Sequence, residues 1–418
     1  MSGIHPDETN SPNHHGSHRH LLTVENADEV RKVAVDAVVV PAARPVGWLG
    51  HAIDLTVQLG CVLVAMCSKD VMADEVLRLG KRVDARILAV DIAAIRNSFP
   101  APSTDRLLSG TPFHRRSDAS RKRNFALVLS HLAGWDRLLF LDDDIFNVEP
   151  SHAQAACGLL DYYDAVGLQN LGYPDNSVVC HAYRDLGGVQ DQFVGVGALA
   201  LRPRRICSFF PNVYNQDWLF LLGAGQSPRV AVTGLMKQKE YDPFAHPNRA
   251  RSEEFGDCLA EGLYWLLDNG QTPDQADERH WRNFLDHRRT FISHLLKKVA
   301  QRPDTAEQRK WQESLRASEA TCALIDPRLC TKYVSLWRSD LEKWRASIAL
   351  MPDRLGLEKA LAHLGWPALL SNAPQAERRS STISEWKAPL AASFEPEWCV
   401  GSTFDITTAP IDDSLQLS

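Results

Sequence analysis

Three consecutive carboxylates, Asp142, Asp143 and Asp144, follow directly on the apolar run Leu138 to Leu141. Held this close, they repel one another unless a cation sits among them. A short unbroken apolar run reads as a strand buried on both faces, as in a parallel sheet covered by helices. In open sheets of that kind, ligands bind beyond the carboxyl ends of the strands. The run therefore predicts a divalent metal at that edge, held by hard oxygen ligands from Asp142 and Asp144. On an extended chain with its period of two, those side chains share one face. The competing reading is a set of solvated acids ahead of a helix starting near Ser151.

The elements needed to position such an edge are legible upstream. Ala37 to Val40 is a continuous apolar run ending at Pro41 and reads as the first buried strand. Trp48 to Leu59 reads as a helix closed by Gly60, and Val71 to Leu79 as one closed by Gly80. Cys61 to Met66 and Arg86 to Val90, ending in Asp91, are the second and third strands. This alternation predicts βαβ units and a parallel sheet. The loop after the first strand faces the ligand crevice of a doubly wound sheet, so Arg44 is placed to contact a base or a diphosphate. Residues 96 to 117 read as a long loop, which argues for a functional role. A helix from Ser117 to about Leu132 follows, and its start carries Arg115, Arg116, Arg121, Lys122 and Arg123. Basic residues at a helix N-terminus oppose the macrodipole, and an anionic diphosphate there would explain them.

Arg123-Asn124, a helix, a Gly-Trp-Asp turn and Leu-Phe-Leu-Asp-Asp-Asp occur in that order. The series resembles the Arg-Asn, helix, Asp-x-Asp sequence of family 2-like GT-A glycosyltransferases, over roughly residues 35 to 265. The resemblance implies a Rossmann-like α/β catalytic domain, with a mostly parallel sheet flanked by helices, and a Mn²⁺ or Mg²⁺ ion on the diphosphate of a UDP- or GDP-sugar. It implies donor contacts from Asp91, Arg121, Arg123, Asn124, Asp142 and Asp143. It also implies that the segment Phe193 to Arg202, with Gly195 and Gly197, passes under the donor sugar, where small residues allow close approach. Tyr214-Asn215-Gln216-Asp217-Trp218 resembles the acceptor-side segment of inverting enzymes and makes Asp217 the general base, with Gln216 where the family often has Glu. His246 is the candidate to complete the metal site. Sugar transfer to a hydroxyl or amine acceptor is the implied activity.

Rival readings are a metal-dependent phosphatase of haloacid-dehalogenase type with Asp142 as nucleophile, a nucleotidyltransferase, and a non-catalytic sugar-nucleotide-binding protein. The phosphatase pattern wants Thr or Val where Phe146 stands. Nucleotidyltransferases usually open with a Gly-rich loop, which Val40 to Gly50 lacks.

Composition sets bounds. The chain has 418 residues, enough for a large domain and a smaller one. A net charge of -6 leaves no basic footprint for nucleic acid. Nine scattered cysteines without a CxxC pair suit reduced thiols in a cytoplasm. No apolar stretch is long enough to span a bilayer, and the Gln-x-x-Arg-Trp motif of processive enzymes is missing; a non-processive cytoplasmic enzyme is the expectation. Residues 1 to 22, with His14, His15, His18 and His20, read as a disordered tail. Residues 23 to 270 are the expected catalytic domain. Acids Glu253, Glu254 and Asp257 are assigned there to the start of a helix that also carries Glu261. From 271 to 370, Trp281, Phe284, Phe291, Leu295, Tyr333, Leu336 and Trp344 recur at helical spacing, which predicts an α-helical region packing on the catalytic domain or on a second subunit of a homo-oligomer. Residues 371 to 418 read as a loosely ordered tail.

Overall fold

The strands form where apolar runs are short and unbroken. They are β1 (Leu22–Glu25), β2 (Ala37–Val40), β3 (Val62–Cys67), β4 (Ile87–Asp91), β5 (Leu138–Leu141), β6 (Ile145–Phe146), β7 (Ala165–Asn170), β8 (Ala198–Leu201), β9 (Val230–Gln238) and β10 (Ala368–Leu370). The computed structural model describes residues 18–95, 101–174, 176–189, 193–223 and 228–371. The first helices are α1 (Gly50–Leu59), α2 (Ala73–Lys81), α3 (Ser103–Leu108), α4 (Ala119–Ala133), α5 (Pro150–Leu159) and α6 (Val178–Asp185). They are followed by α7 (Gln216–Leu222), α8 (Pro247–Asp268), α9 (Glu278–Ala300), α10 (Ala306–Leu324), α11 (Pro327–Ala349) and α12 (Leu357–Leu364).

One sheet runs β1-β9-β7-β8-β5-β2-β3-β4-β10, with β6 paired to β9. It is mostly parallel; β8 and β10 run against their neighbours. The fold is thus mixed α/β, with helices on both faces. Strand alternation divides the core into two layers. Ala37, Val39, Leu138 and Phe140 face the layer that also holds α4, α7 and α8, while Val38, Val40, Leu139 and Leu141 face the layer under α1, α2 and α5.

The chain builds β2, β3 and β4 outward in one direction, then returns through α3 and α4 to lay β5 on the other side of β2. That reversal is a switch point. The loops after β2 and β5 diverge there and leave a crevice.

Several elements differ from the sequence reading. α3 interrupts the expected 96–117 loop, because Asp340 of α11 accepts from the backbone and hydroxyl of Thr104, at 2.9 and 3.2 Å. α6 lies within the expected irregular stretch 169–192, turning Val178, Val179 and Ala182 into the core. Gly80 lies inside α2 rather than closing it; a Cβ there would stand 2.1 Å from Ile87 Cδ1.

The N-terminal histidine-rich tail is corrected in part. His18 is buried, β1 pairs with Val230–Thr233 of β9, and only residues 1–17 of that tail lie outside the described residues. Of the expected C-terminal tail, Ser371 hydrogen-bonds Ile87 beside β10, and residues 372–418 lie outside the described residues.

The aromatic residues of the helical region turn inward. Trp281, Phe284, Phe291 and Tyr333 belong to the same core layer as Phe125 and Phe220. The stripe that suggested a second subunit is therefore filled within the chain. The described residues all fall in one compact unit, Met1–Ala388. No helix among them is long and apolar enough to cross a membrane. Their eight cysteines are free thiols, seven of them buried.

Candidate functional site

The acid triplet does not continue as an extended strand. Ile145 N–H donates to the Asp142 carbonyl at 3.1 Å, so Asp142 to Ile145 is a tight turn, and the chain re-enters the sheet as β6. The period-two argument that placed Asp142 and Asp144 on one face therefore fails locally. Asp143 and Asp144 are both buried, and Asp142 is half-buried.

What neutralises them comes from the neighbouring strand. The loop after β2 lays the backbone N–H groups of Ala43 and Arg44 on Asp143 Oδ2, at 2.8 and 3.0 Å. The Arg44 guanidinium spans the turn, pairing with Asp143 through Nη1 and with Asp144 through Nη2 at 3.0 Å. Burial opposes its charge, but Asp144 and Asp143 outweigh that and hold Arg44 firmly protonated. The parallel register of β2 on β5 sets this meeting, aligning Val39 with Phe140.

The basic start of α4 divides its labour. Arg123, itself buried, donates to Asp142 Oδ1 at 2.6 Å. Its Nε is buried without an acceptor among the described residues. Lys122 is buried and ties α4 to the β2 loop and β3 edge, donating to the Ala42 carbonyl (2.8 Å) and to Ser68 Oγ (2.5 Å) and pairing with Asp118 (3.2 Å). Burial lowers its pKa. Arg121 and Asn124 do not reach the acids. Arg121 donates to the Ile95 carbonyl (2.9 Å) and lies over the Phe125 ring, while Asn124 clamps the Phe210 backbone in both directions, at 2.7 and 2.8 Å.

The end of β9 closes the crevice. Lys239 N–H donates to the Asp144 carbonyl at 3.1 Å, and its ammonium sits 3.6 Å from the Trp48 ring centroid. Gln238 Nε2 donates to Asp144 Oδ2 at 3.4 Å, and Arg44 also lies over Trp48. Sequence reading missed Lys122, Trp48, Gln238 and Lys239 as site residues. Only the Lys122 charge carried a signal, because Gln238 and Lys239 meet Asp144, and Lys239 meets Trp48, through contacts far apart in sequence.

The glycine segment links the acids to the expected base. Asp142 N–H donates to the Gly197 carbonyl at 2.9 Å, and Val196 N–H donates to Asp217 Oδ2 at 3.0 Å. Gly195 and Gly197 are half-buried on that segment, and Asp217 sits in the first turn of α7.

Two other expected residues lie elsewhere. Asp91 accepts from Ala73 N–H (2.9 Å) and so stabilises the start of α2. His246 is the N-cap position of α8. Among the described residues, Asp142, Asp144 and His246 do not form a cluster with ligand atoms within 4.8 Å; Glu254, Cys258 and Cys322 do. In that cluster Arg288 already holds Glu254, at 2.8 and 3.2 Å. The donor chemistry at the acid turn still fits a hard divalent ion, since it offers carboxylate oxygens with little competition from soft ligands.

The acids of α8 do not serve its N-terminus. They are buried along its length because each meets a cation: Glu253 meets Arg249 one turn earlier on α8 (2.7 Å), while Glu254 and Asp257 meet Arg288 of α9 and Glu261 meets His18 (3.1 Å). Burial pushes the Glu253 carboxyl up to about 7 against the pull of Arg249.

His18 faces Glu261 and Asp268, and His20 also reaches Asp268 at 3.2 Å. Burial alone would lower the His18 pKa, but the Asp268 and Glu261 hydrogen bonds outweigh it and push it up to about 9. The clamp therefore contributes fully below about pH 6.5 and is lost as pH rises through about 9, a contribution on the order of 3 kcal/mol at most. The Tm difference between wild type and His18→Ala should be largest near pH 6 and shrink by pH 10 to what the ring contacts alone leave. A pH-independent gap would contradict the assigned charge.

No family model matches the chain, and no curated protein does. Among solved structures it is similar to a mannosyltransferase from Pyrobaculum calidifontis in complex with GDP-Man and Mn²⁺, with a TM-score of 0.37 and 14% identity over 78% of this chain and 92% of that chain.

Proposed function

We propose that this chain is a metal-dependent, non-processive glycosyltransferase of the GT-A kind. It transfers a sugar with inversion from a nucleoside-diphosphate sugar to a hydroxyl or amine acceptor. The observation that carries this reading is the convergence at the switch point. There the turn Asp142–Asp144 meets Arg44 and Arg123, and a short glycine segment joins it to Asp217.

Charge balance gives the reading its chemistry. Arg44, Lys122, Arg123 and Lys239 offset Asp118, Asp142, Asp143 and Asp144. A diphosphate entering alone would tip the site negative, so donor and divalent cation favour each other's binding. Asp142 and Asp144 would hold the ion. When bound, Mn²⁺ or Mg²⁺ stabilises charge on the departing diphosphate. Arg44 and Arg123 bind the same oxygens as charge-assisted donors. Arg121, held by Ile95, contributes nothing there. Trp48 offers a flat apolar wall beside them. Asp217 orients the acceptor and takes its proton as the glycosidic bond forms.

The reading is tested by thermal stability against a panel of nucleoside diphosphates with and without Mn²⁺ or Mg²⁺. A rise with one nucleotide that needs the metal is expected. No rise with any nucleotide, together with phosphate release from phosphomonoesters, would replace this reading with the phosphatase one. Asp217→Asn should keep nucleotide affinity while transfer falls by about 10²–10⁴-fold; unchanged transfer removes Asp217 as base.

A further inference from the structure

The pocket that receives His18 has the make-up of a cation site. Three rings surround the imidazole, with centroids at 5.3 Å for Trp218, 5.4 Å for Tyr264 and 6.1 Å for Phe193. Those rings also pack on one another at 4.9 to 5.1 Å, so they form one wall. Two carboxylates of α8 complete it: Asp268 Oδ2 lies 2.6 Å from Nδ1 and Glu261 Oε2 3.1 Å from Nε2. Aromatic rings with paired carboxylates attract an organic cation and repel an anion.

The occupant comes from the opposite end of the domain, 243 residues from Glu261. It holds a left-handed backbone, φ 52°, which non-glycine residues adopt at a cost. The wall adjoins the α7 turn that carries Asp217. Trp218 follows Asp217 directly, Tyr264 Oη donates to the Trp218 carbonyl at 3.3 Å, and Phe193 opens the segment leading to Gly195 and Gly197.

We propose that this pocket is a cation site on the acceptor side, taking an ammonium- or imidazolium-bearing group, and that His18 fills it in cis. His18 then blocks the pocket until a ligand cation displaces it. The words "acceptor side" rest on Asp217 being the base; the cation pocket does not.

The test uses the full chain and two probes, tetramethylammonium and imidazolium, titrated calorimetrically at pH 6 into wild type and His18→Ala. Saturable binding to His18→Ala is expected, at least about tenfold tighter than to wild type, where the docked segment must first be displaced. Adding Glu261→Gln should abolish it. Absence of saturable binding in His18→Ala, or equal affinity in the two proteins, overturns the proposal. If His18→Ala does not fold, His18→Gly suits the left-handed backbone, also empties the pocket and gives the same comparison. Metal-dependent nucleotide binding, measured in parallel, should be unchanged by the His18 substitution. It separates a failure of the cation site from a failure of the glycosyltransferase reading.

Discussion

Asp144→Asn is expected to abolish metal-dependent nucleotide binding, with affinity falling at least about 100-fold and transfer at least about 10³-fold. The substitution keeps the shape of the side chain and removes one charge. Asp144 is buried, takes Arg44 Nη2 at 3.0 Å and Gln238 Nε2 at 3.4 Å, and its carbonyl receives Lys239 N–H. The carbonyl contact survives the change, and Arg44 keeps Asp143 as a partner, so the turn should hold its form. What disappears is one of the two hard ligands proposed for the ion. The neighbouring cations then exceed the acids, and a nucleotide can still bind weakly without metal. A thermal-shift titration with Mn²⁺ and nucleotide separates the effects. A shift of wild-type size in Asp144→Asn would remove Asp144 as a ligand, whereas a shift that no longer responds to metal is the expected result.

The largest loss of stability is expected from Arg288→Met, about 3–5 kcal/mol. Arg288 is buried in α9 between two buried acids of α8. Its Nε and Nη2 donate to Glu254 at 2.8 and 3.2 Å, and Nη2 donates to Asp257 at 2.6 Å. Removing the guanidinium leaves two carboxylates one turn apart with no cation between them. The consequence reaches the site, because Asp257 Oδ1 also accepts from Asn215 Nδ2 at 2.8 Å. Asn215 holds a left-handed φ of 51° at the N-cap of α7, immediately before the turn that carries Asp217. Asn215 is thus a positioning residue held by the same network. Denaturant unfolding of Arg288→Met measures the effect, and the triple variant Arg288→Met, Glu254→Gln, Asp257→Asn should recover part of the loss. A loss under about 1 kcal/mol in the single variant would show that water reaches the acids and the network carries little.

Much of the scaffold was readable from local pattern. Ala37–Val40 and Leu138–Leu141 are runs that only a doubly covered strand can bury, and their ends were found at the residue. Arg44 was marked as a donor contact by its place after Ala37–Val40, and Arg123 by the charge at a helix start; that both pair with the acid turn was not readable. The turn at Asp142–Ile145 was not readable, because β6 exists only when β9 is beside it. Asp91, Arg121 and Asn124 carried the right chemistry at the right edge, yet each is taken by nearby backbone: Ala73, Ile95 and Phe210. α3 and β10 likewise depend on partners late in the chain, Asp340 and β4.

Hydrophobic period and local charge are enough to say which strands are buried, where the acids and basic helix start lie, and that they belong to one sheet edge. Which cation meets which acid, the joining of Trp48 and Lys239 to them, and the burial of His18 against α8 depend on the folded chain. Those pairings join residues about 20 to 250 positions apart, and strand register and helix packing bring them within hydrogen-bond range, whatever their local propensity.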